Sequence, residues 1–260
     1  MFGLLLIGFM TFVPPNGPTH NPFRDVRPSM QPQVDAPTVT SFWGLTFDGD
    51  DYVLAPPPSP TMLTAWTTEC WIKPASLDAL DCVWSWGTSP AVVRETPSLY
   101  LRSTGQITAT IHGAEDFTLS SVVSVGTWVH LAVTTNAAKS MKIYKNGMLI
   151  GEQTMASQAP GTDTLFLGCR IGNLYYSEVE IIGFRLWNHE RTKSQVAESM
   201  LVHEYGVMTG LLIEYPMLPG SGTTCTDNSG NARDGAFGAG TAAPTWTGPY
   251  TEIKATGPQE

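Results

Sequence analysis

The chain of 260 residues carries 14 basic and 23 acidic side chains, giving a formal net charge of −9. That field repels phosphate backbones and no Lys/Arg cluster offsets it locally, which excludes nucleic acid as a partner. With 25 glycines, 20 prolines and only 14% charged residues, the composition favours short strands with many turns, and the length fits one all-β domain plus an appendage.

The appendage comes first. Met1–Val13 is apolar, yet shorter than the ~20 residues that span a bilayer as a helix. No Lys or Arg precedes the apolar run and Pro14-Pro15-Asn16-Gly17-Pro18 follows it, so a cleaved secretory signal is disfavoured. Proline recurs up to Thr40, which predicts an extended, polyproline-like arm without a core of its own. Phe2, Leu4, Leu5, Leu6, Ile7, Phe9 and Phe12 would gain roughly 25 cal/mol per Å² on leaving water. They are read as an assembly arm that docks on another protein subunit, with contact between the apolar tip and a membrane left open.

From Phe42-Trp43-Gly44-Leu45 onward the pattern is that of a sandwich. Tyr52–Ala55 follows the Asp48-Gly49-Asp50 turn as a strand that Pro56-Pro57-Pro58 ends, and Thr67–Lys73 is a strand stopped by Pro74. Further strands are predicted over Cys82–Trp86, Ser98–Arg102, Gln106–His112, Phe117–Val122 and Thr164–Gly168, each bounded by turn residues. In Thr127–Thr134 the residues Val129, Leu131 and Val133 alternate with Trp128, His130 and Ala132, the pattern of a central strand covered on both faces. Met141–Tyr144 and Met148–Ile150 flank Asn146-Gly147, the strongest local signal for a type I′ hairpin. One short helix is predicted, with Thr192-Lys193-Ser194-Gln195 as its capping box, covering an end of the sandwich. The four cysteines, Cys70, Cys82, Cys169 and Cys225, lack metal spacing and read as buried thiols; a Cys70–Cys82 bridge needs geometry that sequence does not supply.

These residues also carry a resemblance. Trp128, His130 and Ala132-Val133, followed by Tyr144-Lys145-Asn146-Gly147, resemble the centre of laminin-G-like domains of the concanavalin A-like lectin/glucanase superfamily. Leu45–Gly49, Ile182–Asn188, Gly210–Tyr215 and Asp227–Gly230 match in the expected order, and Thr67–Lys73 resembles the family's Thr-x-Glu-x-Trp-x-Lys strand. The resemblance implies an all-β, two-sheet antiparallel jelly-roll sandwich spanning residues 41–246, with residues 1–40 as the arm and 247–260 as a tail. Its functional implication is weaker, because this architecture hosts lectins, enzymes and capsid-surface domains alike.

The sequence offers candidates for three kinds of site. Glycosidases need paired carboxylates, and Glu178-Val179-Glu180 is the only close same-face pair. It lacks the Glu-x-Asp-x-x-Glu run of glucanases of this fold, so a solvated edge is preferred. His130 reads as a hydrogen-bonded structural imidazole, while His20, His112, His189 and His203 occur singly without a nucleophile motif. The expectation is a protein without catalytic activity and without a required cofactor. Asp227, Ser229, Asn231 and Asp234 offer oxygens at metal-like spacing, but Asx-turns account for them equally well and are preferred. The resembling family often holds a structural calcium, which keeps that reading open. For sugars, Tyr175-Tyr176 is the best pair, because neighbouring side chains point to opposite sides and one ring is free to face solvent.

Two functions follow. The favoured one is a structural or decoration component of a large assembly, at a virion or extracellular surface, with the sandwich displayed outward and available to surface glycans. The alternative is a secreted carbohydrate-binding or adhesion module.

Overall fold

The computed structural model describes residues 42–78, 80–87, 96–111, 115–157, 162–202, 205–218, 220–251 and 253. The expected assembly arm, from Phe2 to Phe12 and through its proline-rich continuation, lies outside these residues, as do His20, His112 and His203.

In chain order the first strands are β1 (Phe42–Asp48), β2 (Val53–Ala55), β3 (Trp66–Pro74), β4 (Asp81–Trp86), β5 (Pro97–Arg102), β6 (Gln106–Ile111), β7 (Glu115–Leu119) and β8 (Val129–Thr135). There follow β9 (Ser140–Lys145), β10 (Met148–Thr154), β11 (Leu165–Leu167), β12 (Glu178–Trp187), helix α1 (Lys193–Ser199), β13 (Leu211–Tyr215), β14 (Thr224–Cys225), β15 (Gly235–Phe237) and β16 (Thr245–Tyr250). They form two antiparallel sheets. The first has the order β10-β9-β8-β3-β12-β1-β16, with β13 also paired to β12; the second has the order β14-β15-β2-β11-β4-β5-β6-β7. The two-sheet sandwich expected from the sequence is the observed fold. Its last strand, β16, pairs with β1 and runs past the expected boundary at Trp246 to Tyr250.

Between the sheets lies one large core. Leu45, Phe47, Ile72, Leu131, Val133, Ile143, Val179 and Ile181 from the first sheet meet Val53, Trp84, Leu99, Leu101 and Ile107 from the second. Trp66 anchors it, with the rings of Trp84 and Trp86 set edge-on at 6.1 and 5.6 Å. Offset and edge-on aromatic pairs of this kind add to the burial of large apolar area. As expected, β8 is buried along its whole length, and Asn146 and Gly147 both take positive φ at the tip of the β9–β10 hairpin.

In β12 a change of phase decides which side chains face where. Val179 and Ile181 point into the core, and so do Phe184 and Leu186, which an unbroken period of two would not allow. The pairing with β3 shifts between Ile182 and Arg185, and Gly183 sits there at φ +65°. This bulge turns Arg185 onto the outer face, beside Glu214 in the adjoining β13.

That outer face holds a buried cluster of charge. Glu69 accepts hydrogen bonds from Trp187 Nε1 at 3.0 Å, Arg191 NH1 at 3.0 Å and Ser199 Oγ at 2.5 Å. Arg185 donates to Glu214 at 2.9 Å and to the carbonyl oxygens of Ser199 and Val202. Glu214 also takes the backbone N–H groups of Tyr205 and Gly206. The Arg191 guanidinium stacks 4.0 Å from the Trp187 ring centroid. Two carboxylates and two guanidinium groups thus balance without solvent.

Helix α1 begins with the predicted capping box, Thr192 with Gln195. It lies on the outer face of the first sheet and not at an end of the sandwich, because Val196 packs on Ala132 and Tyr144 and Trp71 Nε1 donates to Met200 O. All four cysteines are buried and free. Cys70 joins the core from β3, whereas Cys82 belongs to β4 in the opposite sheet, so no Cys70–Cys82 bridge exists.

Removing one partner of a buried ion pair typically costs about 3–5 kcal/mol. Glu69→Gln is therefore expected to lower the unfolding free energy by about that amount in urea denaturation, and a loss below ~1 kcal/mol would contradict the assigned role of the cluster.

Candidate functional site

The segment from Gly168 to Ser177 crosses the outer face of the second sheet. Ser85 of β4 holds it from below, donating to Cys169 O and accepting the Ile171 N–H at 2.7 Å. Arg170 and Leu174 bond to each other's backbone, closing a tight turn in which Gly172 and Asn173 take positive φ. The Cys82 N–H then donates to Tyr175 O at 2.8 Å. Tyr175 is fixed at its backbone.

The two tyrosines diverge, as expected of neighbours. Tyr176 packs with Tyr52 against Phe166, Cys169 and Ile171. Tyr175 is 43% exposed, with Tyr100 edge-on at 6.2 Å and the Arg170 guanidinium 5.7 Å from its ring centroid. Burial pushes the Tyr100 phenol well above its ordinary range, so it stays a neutral hydrogen-bonding group. The same burial holds the Cys169 thiol up at about 12 and makes it unreactive.

From Tyr100 the outer face continues as a polar row. Tyr100 pairs with Thr108, Thr108 with Thr118, and the Thr108 and Thr118 hydroxyls lie 2.9 Å apart. Arg102 Nε donates to Thr108 at 2.7 Å, and its guanidinium lies 3.5 Å from Asp116. An exposed aromatic ring can stack on an apolar sugar face; Thr108 is fully buried, so of this row Arg102, Asp116 and Thr118 are the side chains that reach solvent. Sequence reasoning missed Tyr100, Arg102 and Arg170. The alternation of Ser98, Tyr100 and Arg102 with Leu99 and Leu101 was the available signal.

The other expected sites resolve differently. Asp227 Oδ1 accepts the N–H groups of Glu214 and Ser229, and Oδ2 accepts the Arg233 N–H and the Ser229 hydroxyl. Asp234 accepts the Asp227 N–H, and Asn231 donates to Leu211 O. These residues close and anchor a turn. Calcium needs a shell of available oxygens, and both carboxylate oxygens of Asp227 already accept two hydrogen bonds each from the chain itself. Glu180 is only 8% exposed and not a solvated edge: it pairs with Lys73 and accepts the Tyr250 hydroxyl, while Glu178 stands opposite Asp48 in β1. Expected to be hydrogen-bonded, the His130 ring nitrogens have no such partner among the described residues; Glu69 lies 3.9 Å away.

A model of the concanavalin A-like lectin/glucanases superfamily, of laminin-G type, matches residues 47–197. The chain belongs to this superfamily. Among solved structures, a Bacteroides ovatus protein assigned provisionally to carbohydrate binding superposes with a TM-score of 0.67 at 16% identity, covering 84% of this chain. The chain spans 62% of that protein's length. A heptameric SAP-like pentraxin from Limulus polyphemus gives 0.49 at 18% identity, over 62% of this chain and 82% of the pentraxin. The CBM40 module of a Ruminococcus gnavus sialidase, solved with α2,3-sialyllactose, gives 0.48 at 14%, over 62% of this chain and 98% of the module. At such identities the likeness shows the lectin-type fold alone. No curated protein matches the chain.

His130 supplies a pH test. Burial, followed by the charges of Arg185 and Arg191 and opposed by Glu69, lowers it from 6.5 to about 4. The unfolded chain then binds a proton that the folded one refuses, so stability falls as pH drops from 6.5 towards 4, by on the order of 3 kcal/mol. The unfolding free energy of the native protein minus that of His130→Gln should fall by this amount between pH 7 and pH 4, and a difference that does not change with pH would contradict it.

Proposed function

We propose that this protein is a non-catalytic carbohydrate-binding module that takes glycans on the outer face of its second sheet. The observation that carries the reading is Tyr175: a half-exposed ring fixed at its backbone and framed by Arg170 and Tyr100. Solvent-facing aromatic rings are costly to keep without use, and a ring beside fixed polar groups suits the alternating apolar and hydroxyl surfaces of a sugar. The provisional carbohydrate-binding assignment of the Bacteroides ovatus protein supports the same class of ligand. Since fold alone does not give function, the weight rests on the Tyr175 platform.

The reading as an assembly component, with partner subunits held through Phe2–Phe12, draws on residues outside those described, and no described residue favours it. The carbohydrate-binding alternative therefore takes precedence. Glycan display at an extracellular or virion surface is compatible with either.

A glycan array followed by calorimetry on the best ligand tests the proposal. Tyr175→Ala is expected to weaken binding at least tenfold, about 1.4 kcal/mol, while Tyr175→Phe retains it. An array without any ligand, or equal affinity in Tyr175→Ala, would overturn it.

A further inference from the structure

A second pair of rings flanks the Gly168–Ser177 segment. Tyr176 and Tyr52 are half-buried and rest on Phe166, Cys169 and Ile171, with the Tyr52 ring 6.0 Å from that of Phe166. Since β11 and β4 lie between β2 and β5, Tyr176 with Tyr52 and Tyr175 with Tyr100 stand on opposite sides of the segment. Both rings of this second pair are fixed at their backbones. The Tyr52 N–H donates to Ala242 O and Tyr52 O accepts the Gly238 N–H at 2.9 Å, while the Ser177 N–H next to Tyr176 donates to Gly168 O at 2.8 Å. Tyr175 itself takes φ +54°, a region that bulky side chains rarely adopt and keep only where the surroundings impose it.

Packing accounts for one side of these rings and leaves their hydroxyls. Among the described residues no hydrogen bond takes up the phenol of Tyr52 or of Tyr176, so both are available to a ligand while the rings offer it an apolar surface. Burial raises the Tyr176 phenol, helped by Cys169, Tyr52 and Asp50, so it stays protonated and able to donate. The exposed Asp50 carboxylate thus adds a negative field at this spot. Its sign repels an acidic sugar and suits a neutral one, whose hydroxyls donate to carboxylates.

We propose that the glycan held at Tyr175 is a neutral oligosaccharide, which crosses the Gly168–Ser177 segment and stacks a second sugar on Tyr176 and Tyr52. This ligand class rests on glycan binding at Tyr175 and adds a second subsite to it. Because the two rings diverge, one sugar does not lie on both, whereas a chain of sugars does. Once the first sugar is held at Tyr175, the second contact is intramolecular, so chain length as well as sugar identity sets the affinity.

The test is an array of neutral gluco-, manno-, galacto- and xylo-oligosaccharides, from monosaccharide to hexasaccharide, with acidic glycans beside them. Calorimetry on the full-length protein then follows the neutral series that binds. Affinity should rise about tenfold between the shortest chain that binds and one longer by two sugars. Tyr52→Ala should lose that gain, and so should Tyr176→Leu, which keeps an apolar side chain over Phe166 but removes the flat ring. Affinity for the shortest chain should stay unchanged in both, which also reports that the variants fold. Affinity independent of chain length, a gain that survives both substitutions, or binding confined to acidic glycans would overturn the second subsite while the Tyr175 site stands. No binding to any glycan would overturn both.

Discussion

Glu69 sits in the middle of a strand with 1% of its surface exposed, and an ionised carboxylate there is tolerable only if other groups replace the water it lost. Its partners come from far along the chain: Trp187 at the end of β12, Arg191 beyond it, and Ser199 in α1. Each of those segments must therefore return to the outer face of the first sheet. The helix, too short to be stable alone, is held by this requirement and by Val196 on Ala132 and Tyr144. Arg185 and Glu214 extend the same logic, since their pairing fixes the backbone at Ser199, Val202, Tyr205 and Gly206.

This gives the two sheets different outer faces. The first is sealed over its centre, where His130, Glu69 and Arg185 are all dry. The second is crossed by the Gly168–Ser177 segment, which covers Ser85 and Cys82 yet leaves one side of Tyr175 in water. The difference matters for function, because a ligand needs an accessible face built on rigid elements.

Much of the fold was legible in local patterns. Val129, Leu131 and Val133 marked a buried strand, Asn146-Gly147 marked the hairpin after β9, and Thr192 with Gln195 marked the helix start, because each is set by neighbours within a few residues. The divergence of Tyr175 and Tyr176 was legible for the same reason. The phase change at Gly183 was not, since a glycine in a strand announces a bulge without saying which register follows. Nor was the lack, among the described residues, of a hydrogen bond to the His130 ring nitrogens, which follows from where Glu69 turns to meet Arg191 and Ser199.

The sequence by itself determined most of the strands, the Asn146-Gly147 turn and the resemblance to the superfamily, because period-two alternation and turn chemistry act over a few bonds. It also located the acids and aromatics without assigning them faces. Only the tertiary structure decided that Asp227 closes a turn and that Tyr175 meets solvent beside Arg170. The physical reason is that a polar atom's availability depends on what the rest of the chain brings to it, and those donors are set by packing and not by spacing.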